Sequence, residues 1–304
     1  MGNRIVYARL PSGGSVERWA MDDRWQLRVM RWPGERGTLV VANGRGDFIE
    51  KYGEALSWWV RRGWQLIAFD WRGQGGSGRL ARNPLAGASP GFDRWTADLV
   101  AVLARARTLG AGPLAVAAHS MGGHLALRAV AAQPGIIDRA VLFAPMVAIR
   151  LAFGDPLARL LARAASLLAP QRFAPGQRAW LDAQGRAQRA AALTTDAARA
   201  AEEFALWDAH PELVLGGATW GWLRDALVSC AALPAVAARI TTPLRLILPS
   251  ADRVVVTPAA ISLVARLPDA DYRVIGGAKH ELWRERDTLR LAAFAAADEH
   301  LEQA

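Results

Sequence analysis

The chain has little of several features that would assign it to a specialised class of protein. Only one of its 304 residues, Cys230, is a cysteine, which excludes an internal disulfide and a cysteine-based metal cluster and fits a reducing compartment. No apolar run reaches the length of about 18 residues that a membrane-spanning helix needs. Residues 1–26 lack the apolar core of a secretory signal. We therefore expect a cytoplasmic protein, with peripheral membrane contact left open.

Lysine is almost as scarce as cysteine. Lys51 and Lys279 are the only two, so nearly all of the formal net charge of +9 comes from arginine. The arginines are spread along an alanine-rich chain, whereas a nucleic-acid-binding protein usually concentrates its charge in a patch or stripe. The sequence thus predicts no nucleic-acid partner, and it leaves open a transient attraction to an anionic membrane surface.

The order of apolar and amphipathic segments indicates the fold class. Strands are predicted at 25–32, 38–42, 64–71, 114–118, 139–144, 244–248 and 272–275, and helices at 48–62, 93–109, 121–132 and 285–301. Strands that are apolar throughout and alternate with helices indicate a mostly parallel sheet flanked by helices. Between them lies a helical stretch rich in alanine and arginine. We therefore predict an α/β core domain of residues 1–145 and 234–304, with a helical cap inserted at 146–233.

Two serines are candidates for a nucleophile. Ser89 lies in a literal G-x-S-x-G match, Gly87–Gly91, but no strand precedes it, and Pro90 has no backbone N–H to offer an oxyanion. Ser120 follows a predicted strand and precedes a predicted helix, which is the context of a nucleophile elbow. Ala118 stands where this motif usually has glycine. A simple helix N-cap is the alternative role for Ser120, and its context favours the nucleophile.

A serine nucleophile needs a base and a carboxylate that orients the base. In parallel sheets such groups belong at the carboxyl ends of strands. Asp252 and His280 each follow a predicted strand, and of the five histidines only His280 does so after Asp252. Ser120, Asp252 and His280 are therefore the predicted catalytic triad. Asp70 also ends a strand, but it precedes the serine and is expected to brace the loop 72–78.

Backbone N–H groups must stabilise the oxyanion that forms during ester hydrolysis. Met121, at the start of the helix after Ser120, is predicted to supply one donor. The turn Asn43–Gly46 follows an earlier strand, and its glycines allow the backbone amides to turn inward. The N–H of Arg45 is the second predicted donor, with a simple strand-ending turn as the alternative. No metal ion and no organic cofactor is predicted.

Together these segments resemble the monoacylglycerol lipase/lysophospholipase branch of the α/β-hydrolases, most closely the bacterial lysophospholipases. The resemblance extends from about residue 39 to the C-terminus, and its most specific parts are the loop 72–78, R-G-Q-G-G-S-G, and the segment 280–282, H-E-L. It implies an α/β-hydrolase fold, a triad of Ser120, Asp252 and His280, and a helical cap over the site. Asn43 departs from the family pattern, which usually has histidine there.

The predicted function is hydrolysis of carboxylic esters of single-acyl-chain lipids, either lysophospholipid or monoacylglycerol, through an acyl-enzyme. An acyltransferase or a short-chain carboxylesterase would use the same triad, and a catalytically inactive lipid-surface binding protein would keep the fold. Trp207, Trp220 and Trp222 are predicted to wall the acyl groove. No sequence feature assigns an oligomeric state.

An apolar stripe at helical spacing lies in the predicted cap. Its members are Leu157, Leu160, Leu161, Ala164, Ala165 and Leu168. Such a face either packs on the core domain or stays exposed as an interfacial helix whose arginines meet lipid phosphate. The sequence leaves both interpretations open.

Overall fold

A twisted eight-stranded sheet forms the centre of the computed structural model, which describes residues 9–151 and 155–303. Its strands are β1 (Ser15–Ala20), β2 (Gln26–Trp32), β3 (Thr38–Ala42), β4 (Gln65–Phe69), β5 (Leu114–His119), β6 (Arg139–Phe143), β7 (Leu244–Pro249) and β8 (Ala270–Ile275). Their spatial order is β1-β2-β4-β3-β5-β6-β7-β8. Strand β2 pairs antiparallel with β1 and β4, and all other neighbours pair in parallel.

Helices flank this sheet. They are α1 (Gly53–Val60), α2 (Phe92–Leu109), α3 (Met121–Ala132), α4 (Asp155–Leu168), α5 (Ala183–Leu193), α6 (Ala197–Ala209), α7 (Trp220–Val236), α8 (Thr257–Val264) and α9 (Asp287–Leu301). Helices α4 to α7 all lie between β6 and β7, within the predicted insertion. Helix α7 crosses the predicted boundary at 233/234, and its Trp222, Ala226 and Leu233 belong to the main hydrophobic core. The insertion is therefore rooted in the core through α7.

Burial explains which strands could be predicted. Every residue of β3 and of β5 is buried, and apart from Thr38 and His119 at their ends both sequences are apolar. Strand β1 lies at the sheet edge, and its residues are mostly exposed apart from Trp19. No apolar run marks this strand, and β1 was missing from the prediction. The predicted helix 48–62 is also interrupted, since a 3-10 turn at Ile49–Tyr52 precedes α1.

Helix α4 decides between the two interpretations of the apolar stripe. Its buried side chains are the small ones, Ala158 and Ala162, which pack with Leu227 of α7. Three of the stripe's four leucines, Leu157, Leu160 and Leu168, are 50%, 65% and 90% exposed. The interpretation that the stripe packs on the core is therefore wrong for these leucines. The small residues allow α4 and α7 to approach closely and leave the larger side chains outside.

Candidate active site

Ser120 lies in the tight turn between β5 and α3. Its backbone has φ 53° and ψ −114°, a conformation that is costly for a residue with a Cβ atom and that is found mostly at functional sites. The helix that follows approaches β3 closely, because a Cβ atom on Gly122 would collide with the carbonyl oxygens of Ala42 and Asn43. Only glycine fits at that position. The turn thus holds the serine side chain at the carboxyl end of the sheet.

The predicted triad residues form a continuous chain of hydrogen bonds. His280 Nε2 lies 2.9 Å from Ser120 Oγ, and His280 Nδ1 lies 2.8 Å from Asp252 Oδ2. Asp252 Oδ1 also accepts hydrogen bonds from the N–H groups of Val254 (2.7 Å) and Val255 (2.9 Å). Burial acts to raise the pKa of Asp252, but the bonds to His280 and to these amides lower it below its usual value. The carboxylate is therefore ionised at neutral pH and fixes the orientation of the imidazole.

The two predicted oxyanion donors lie beside Ser120. Met121 is the first residue of α3, so its N–H has no acceptor within the helix. The turn after β3 reaches the same place, because a Cβ atom on Gly44 would lie 3.3 Å from Ser120 Cβ. Arg45 follows Gly44, and within the described residues its N–H donates to no backbone carbonyl. Both N–H groups thus lack a backbone acceptor in the described structure and belong to turns that adjoin Ser120.

A buried ionic network, the Lys51 cluster, lies behind this turn. It consists of Lys51, Asp47, Glu203 and Glu281. Lys51 Nζ lies 2.7 Å from Asp47 Oδ1, 2.9 Å from Glu203 Oε1 and 2.5 Å from Glu281 Oε1. Asp47 Oδ2 in turn accepts a hydrogen bond from the N–H of Gly44 at 3.0 Å. The cluster therefore joins the turn Asn43–Gly46, helix α6 of the insertion and the residue after His280, a connection that the sequence pattern does not predict.

The electrostatics of the Lys51 cluster show how its charges are balanced. Burial acts to raise the pKa of Glu203, but the positive charges of Arg189 and Lys51 lower it to about 2. The pKa of Asp47 is likewise held well below its usual value against the effect of burial, chiefly by Lys51. Carboxylate oxygens of Asp47, Glu203 and Glu281 lie within 4.8 Å of one another, as metal ligands do. The Lys51 ammonium contacts all three and supplies the positive charge that a metal ion would supply.

A cavity of about 400 Å³ contains Ser120 and His280. Its apolar lining includes Met146, Ile149, Leu161, Leu193, Trp220, Trp222, Leu223, Val254 and Val255. Trp220 and Trp222 thus lie where the sequence predicts them. Trp207 packs with Phe48 and Val214 in a separate apolar cluster and lines a second cavity of about 300 Å³. The structure therefore does not place Trp207 in the wall predicted for it, because α6 turns that side chain toward Phe48.

Two other candidate residues have structural roles. Ser89 lies in a loop, where its Oγ accepts a hydrogen bond from the N–H of Gly91 at 2.9 Å. Asp70 Oδ2 accepts a bond from the N–H of Gly76 at 2.7 Å, and its carbonyl accepts one from Ser77 Oγ at 2.7 Å. The prediction that Asp70 braces this loop is confirmed. Burial raises the pKa of Asp70 to about 6.

Comparison with known proteins identifies the family. Residues 33–287 match the hydrolase family described as serine aminopeptidase, S33. The chain belongs to this family of α/β-hydrolases. Among sequence relatives of this α/β-hydrolase is lysophospholipase L2 of Escherichia coli (strain K12), 30% identical over 270 residues that cover 85% of this chain and 78% of that protein. The probable lysophospholipase L2 of Haemophilus influenzae is 27% identical over 256 residues, which cover 84% and 80% of the two chains.

Solved structures show the same fold. A soluble variant of monoglyceride lipase from Saccharomyces cerevisiae has a TM-score of 0.75 at 17% identity, with 96% of each chain covered. The monoacylglycerol lipase of Paleococcus ferrophilus has a TM-score of 0.73 at 17% identity, covering 91% of this chain and 99% of that one. The predicted α/β-hydrolase fold and the predicted family resemblance are confirmed. In the described parts of this α/β-hydrolase, each helix is too short or too polar to cross a bilayer.

Proposed function

We propose that this α/β-hydrolase is a serine hydrolase that cleaves carboxylic esters of single-acyl-chain lipids, lysophospholipid or monoacylglycerol. The observation that carries the reaction type is the hydrogen-bonded chain from Ser120 Oγ through His280 to Asp252. The substrate class is supported by the two lysophospholipase relatives and by the apolar lining of the cavity that contains Ser120. A volume of about 400 Å³ lies in the lower range of ligand pockets and suits one acyl chain.

In the proposed first half-reaction, Ser120 Oγ attacks the ester carbonyl while His280 Nε2 accepts its proton. Asp252 accepts a hydrogen bond from His280 Nδ1–H, which fixes the tautomer and stabilises the imidazolium that forms. The N–H groups of Met121 and Arg45 bind the oxyanion of the tetrahedral intermediate. His280 then donates the proton to the leaving alcohol oxygen, and the acyl group stays on Ser120.

Water completes the proposed reaction by the same steps in reverse. His280 accepts a proton from the water that attacks the acyl-enzyme, and it returns a proton to Ser120 Oγ as the fatty acid leaves. The Lys51 cluster positions this machinery without touching the reacting atoms. Its Asp47 holds the N–H of Gly44, next to the proposed oxyanion donor Arg45, and its Glu281 follows His280 directly.

Residues 146–233 act as a cap in this proposal, and helix α4 is the part that meets lipid. Leu157, Leu160 and Leu168 are 50%, 65% and 90% exposed, while Leu161 of the same helix lines the cavity that contains Ser120. Exposed leucines and arginines on one helix fit a peripheral, reversible contact with an anionic membrane surface. The helix would then lie between the lipid surface and the catalytic serine.

A serine-reactive phosphonate probe tests the nucleophile assignment. We expect labelling of Ser120 in the parent protein and loss of labelling in Ser120→Ala, together with a fall in turnover of roughly 10⁵–10⁶-fold. Ser89→Ala is the matched control and should keep full labelling. Labelling of Ser89 in the Ser120→Ala protein would show the assignment to be wrong. A panel of lysophospholipids, monoacylglycerols, triacylglycerols and short esters then tests the substrate class, and rapid cleavage of triacylglycerol emulsions would contradict it.

A further inference from the structure

Arg45 carries a positive charge that forms no direct ion pair with a carboxylate in the described structure, although Asp47 attracts it at longer range. Its Nη2 donates a hydrogen bond to the carbonyl oxygen of Gly216 at 2.9 Å, and its Cζ lies 5.1 Å from the centroid of the Trp222 ring. Among the described residues, no acidic oxygen forms an ion pair with this guanidinium, and its buried Nε has no hydrogen-bond partner. An unbalanced cation beside an active site is costly to maintain, which suggests that an anionic ligand completes it.

The neighbouring charges do not supply that anion. Asp47 is the carboxylate closest to Arg45 along the chain, but its oxygens already accept bonds from Lys51 Nζ and from Tyr52 OH, each at 2.7 Å. Arg189 lies near Arg45 and is paired with Glu203 at 2.9 Å, so it adds positive charge without offering a partner. Two arginines, Arg45 and Arg189, line both cavities. In the described structure Arg189 has an ion-pair partner and Arg45 has none.

The guanidinium remains charged where it meets both cavities. Burial and the charge of Arg189 lower the pKa of Arg45 to about 10 against the attraction of Asp47, and the side chain stays cationic at neutral pH. Arg45 lines the cavity that contains Ser120 and also the adjoining polar cavity. The chain leaves room for it, because a Cβ atom on Gly87 would collide with the Arg45 guanidinium. This explains the first glycine of the G-x-S-x-G sequence around Ser89.

We infer that the Arg45 side chain binds the phosphate of the substrate headgroup, so that the enzyme prefers lysophospholipids to monoacylglycerols of the same acyl chain. This inference rests on the proposed function. The guanidinium fork matches two phosphate oxygens, whereas a monoacylglycerol presents only neutral hydroxyls there. The backbone N–H of Arg45 is the proposed oxyanion donor, so its side chain starts beside the ester carbonyl. In a lysophospholipid the phosphate is only a few bonds from that ester.

Steady-state kinetics on two lipids with one acyl chain test the inference. Lysophosphatidylethanolamine and monoacylglycerol are presented in the same nonionic micelles, and kcat and KM are measured for the parent, Arg45→Met and Arg45→Lys. We expect the parent to prefer the phospholipid. In Arg45→Met the phospholipid-to-glyceride ratio of kcat/KM should fall roughly ten- to hundred-fold, mainly through KM, because one charge-assisted contact is lost. Arg45→Lys keeps the charge without the fork and should lose less.

Arg82→Gln is the matched control, since Arg82 is exposed and lines neither cavity. It removes the same charge from the surface and should leave the ratio unchanged. A ratio that stays constant in Arg45→Met, or that falls equally in Arg82→Gln, would overturn the inference. Thermal unfolding of each variant shows whether it is folded. If Arg45→Met is unstable, the phospholipid-to-glyceride ratio of kcat/KM is compared between the parent and Arg45→Lys instead.

A second measurement separates failure of the inference from failure of the proposed function. sn-Glycerol 3-phosphate should competitively inhibit hydrolysis of a short soluble ester by the parent, glycerol should not, and inhibition should weaken at least ten-fold in Arg45→Met. Cleavage of the short ester but of neither lipid would contradict the proposed substrate class. In that case, inhibition by sn-glycerol 3-phosphate still tests whether Arg45 binds phosphate. Absence of inhibition in the parent, or equal inhibition in Arg45→Met, would show that no such site exists.

Discussion

Helices α4 and α6 belong to the same insertion but are attached in opposite ways. Helix α6 is held by buried charge: Glu203 contacts Lys51 at 2.9 Å, and Arg199 binds Glu54 of α1 through two hydrogen bonds of 2.6 and 2.9 Å. Helix α4 packs through small side chains such as Ala162 against α7 and leaves its leucines exposed. One part of the insertion is thus fixed to the catalytic loops, and the other presents an apolar surface.

The difference means that two helices of one insertion are constrained to different degrees. An ion pair in a buried site is strongly directional, and it loses several kcal/mol when one partner is removed, so α6 has one well-defined position. Contacts between small apolar side chains are weaker and less directional, so they constrain the position of α4 less tightly. The insertion therefore combines one tightly held helix, α6, with one that is less constrained, α4.

The strongest way to break the fixed attachment is Lys51→Met. The substitution leaves Asp47, Glu203 and Glu281 buried without their shared ammonium, and loss of one partner of a buried ionic network costs about 3–5 kcal/mol. We expect the free energy of unfolding to fall by that amount and kcat to fall on soluble and micellar substrates alike. Urea unfolding and steady-state kinetics measure both effects. Lys279→Met, at the other lysine, is the comparison, and an equal loss there would mean that the cluster has no special role.

A pH titration of Glu203→Gln sharpens the same point. The pKa of Glu203 is lowered to about 2 in the folded protein from 4.5, so the ionised carboxylate stabilises the fold above pH 4.5 and this contribution disappears as the pH falls toward 2. The shift corresponds to about 3 kcal/mol at pH 7. The stability difference between the parent and Glu203→Gln should therefore be largest at neutral pH and shrink below pH 4.5. A difference that does not change with pH would contradict this assignment.

Leu160→Asp tests the exposed helix. Leu160 is 65% exposed and does not line the cavity that contains Ser120, so a charge there should weaken lipid-surface contact without disturbing the site. We expect hydrolysis of micellar long-chain substrate to fall roughly ten-fold, with hydrolysis of a short soluble ester preserved. Val228→Asp, at an equally exposed position of α7, is the matched control and should spare both activities. Equal loss on both substrates in Leu160→Asp would show that α4 is only a packing element.

The smallest effect is expected at an ion pair of the insertion that is not buried. Arg186 binds Asp208 with two hydrogen bonds, the longer of them 2.8 Å, but the Asp208 side chain is 56% exposed. Exposed pairs contribute little because water screens them, so Arg186→Gln should change the free energy of unfolding by less than about 1 kcal/mol. Chemical denaturation measures this. A loss as large as that of Lys51→Met would show that burial is not what distinguishes the Lys51 cluster.

The sequence was most informative where local pattern and burial agree. The bounds of β3 and α3 match the prediction, because one is an uninterrupted apolar run and the other begins at the elbow after Ser120. The same strand-end logic led to Asp252 and His280, and the structure brings both side chains to Ser120. Edge strand β1 was missed because Ser15, Glu17 and Arg18 break up its apolar residues, so no apolar run marks it.

Long-range charge pairing was beyond the sequence pattern. Lys51 and Glu203 are far apart along the chain, and they meet only because α6 passes over the turn Asn43–Gly46. Trp207 was predicted in the acyl groove from its aromatic character, but the same path turns it toward Phe48. The uncompensated charge of Arg45 is visible only once the partners of Asp47 are known. Partners that follow from strand ends, such as those of Ser120, were readable from the sequence, and partners brought together by the insertion were not.

Because the chain has only two lysines, the rate at which Lys51 is acylated can report the movement of helix α6. Amine-directed acylating reagents need a neutral, accessible nitrogen. Lys51 is buried. Burial acts to lower the pKa of Lys51, but three neighbouring carboxylates outweigh it and hold that pKa above the usual value, so the amine stays protonated. Modification of Lys51 therefore requires that α6 first move away from the turn Asn43–Gly46. Lys279, the other lysine of the chain, is half-buried and serves as the reference in the same peptide digest. The rate of acylation at Lys51 relative to Lys279 then measures how often α6 separates from the residues around Lys51.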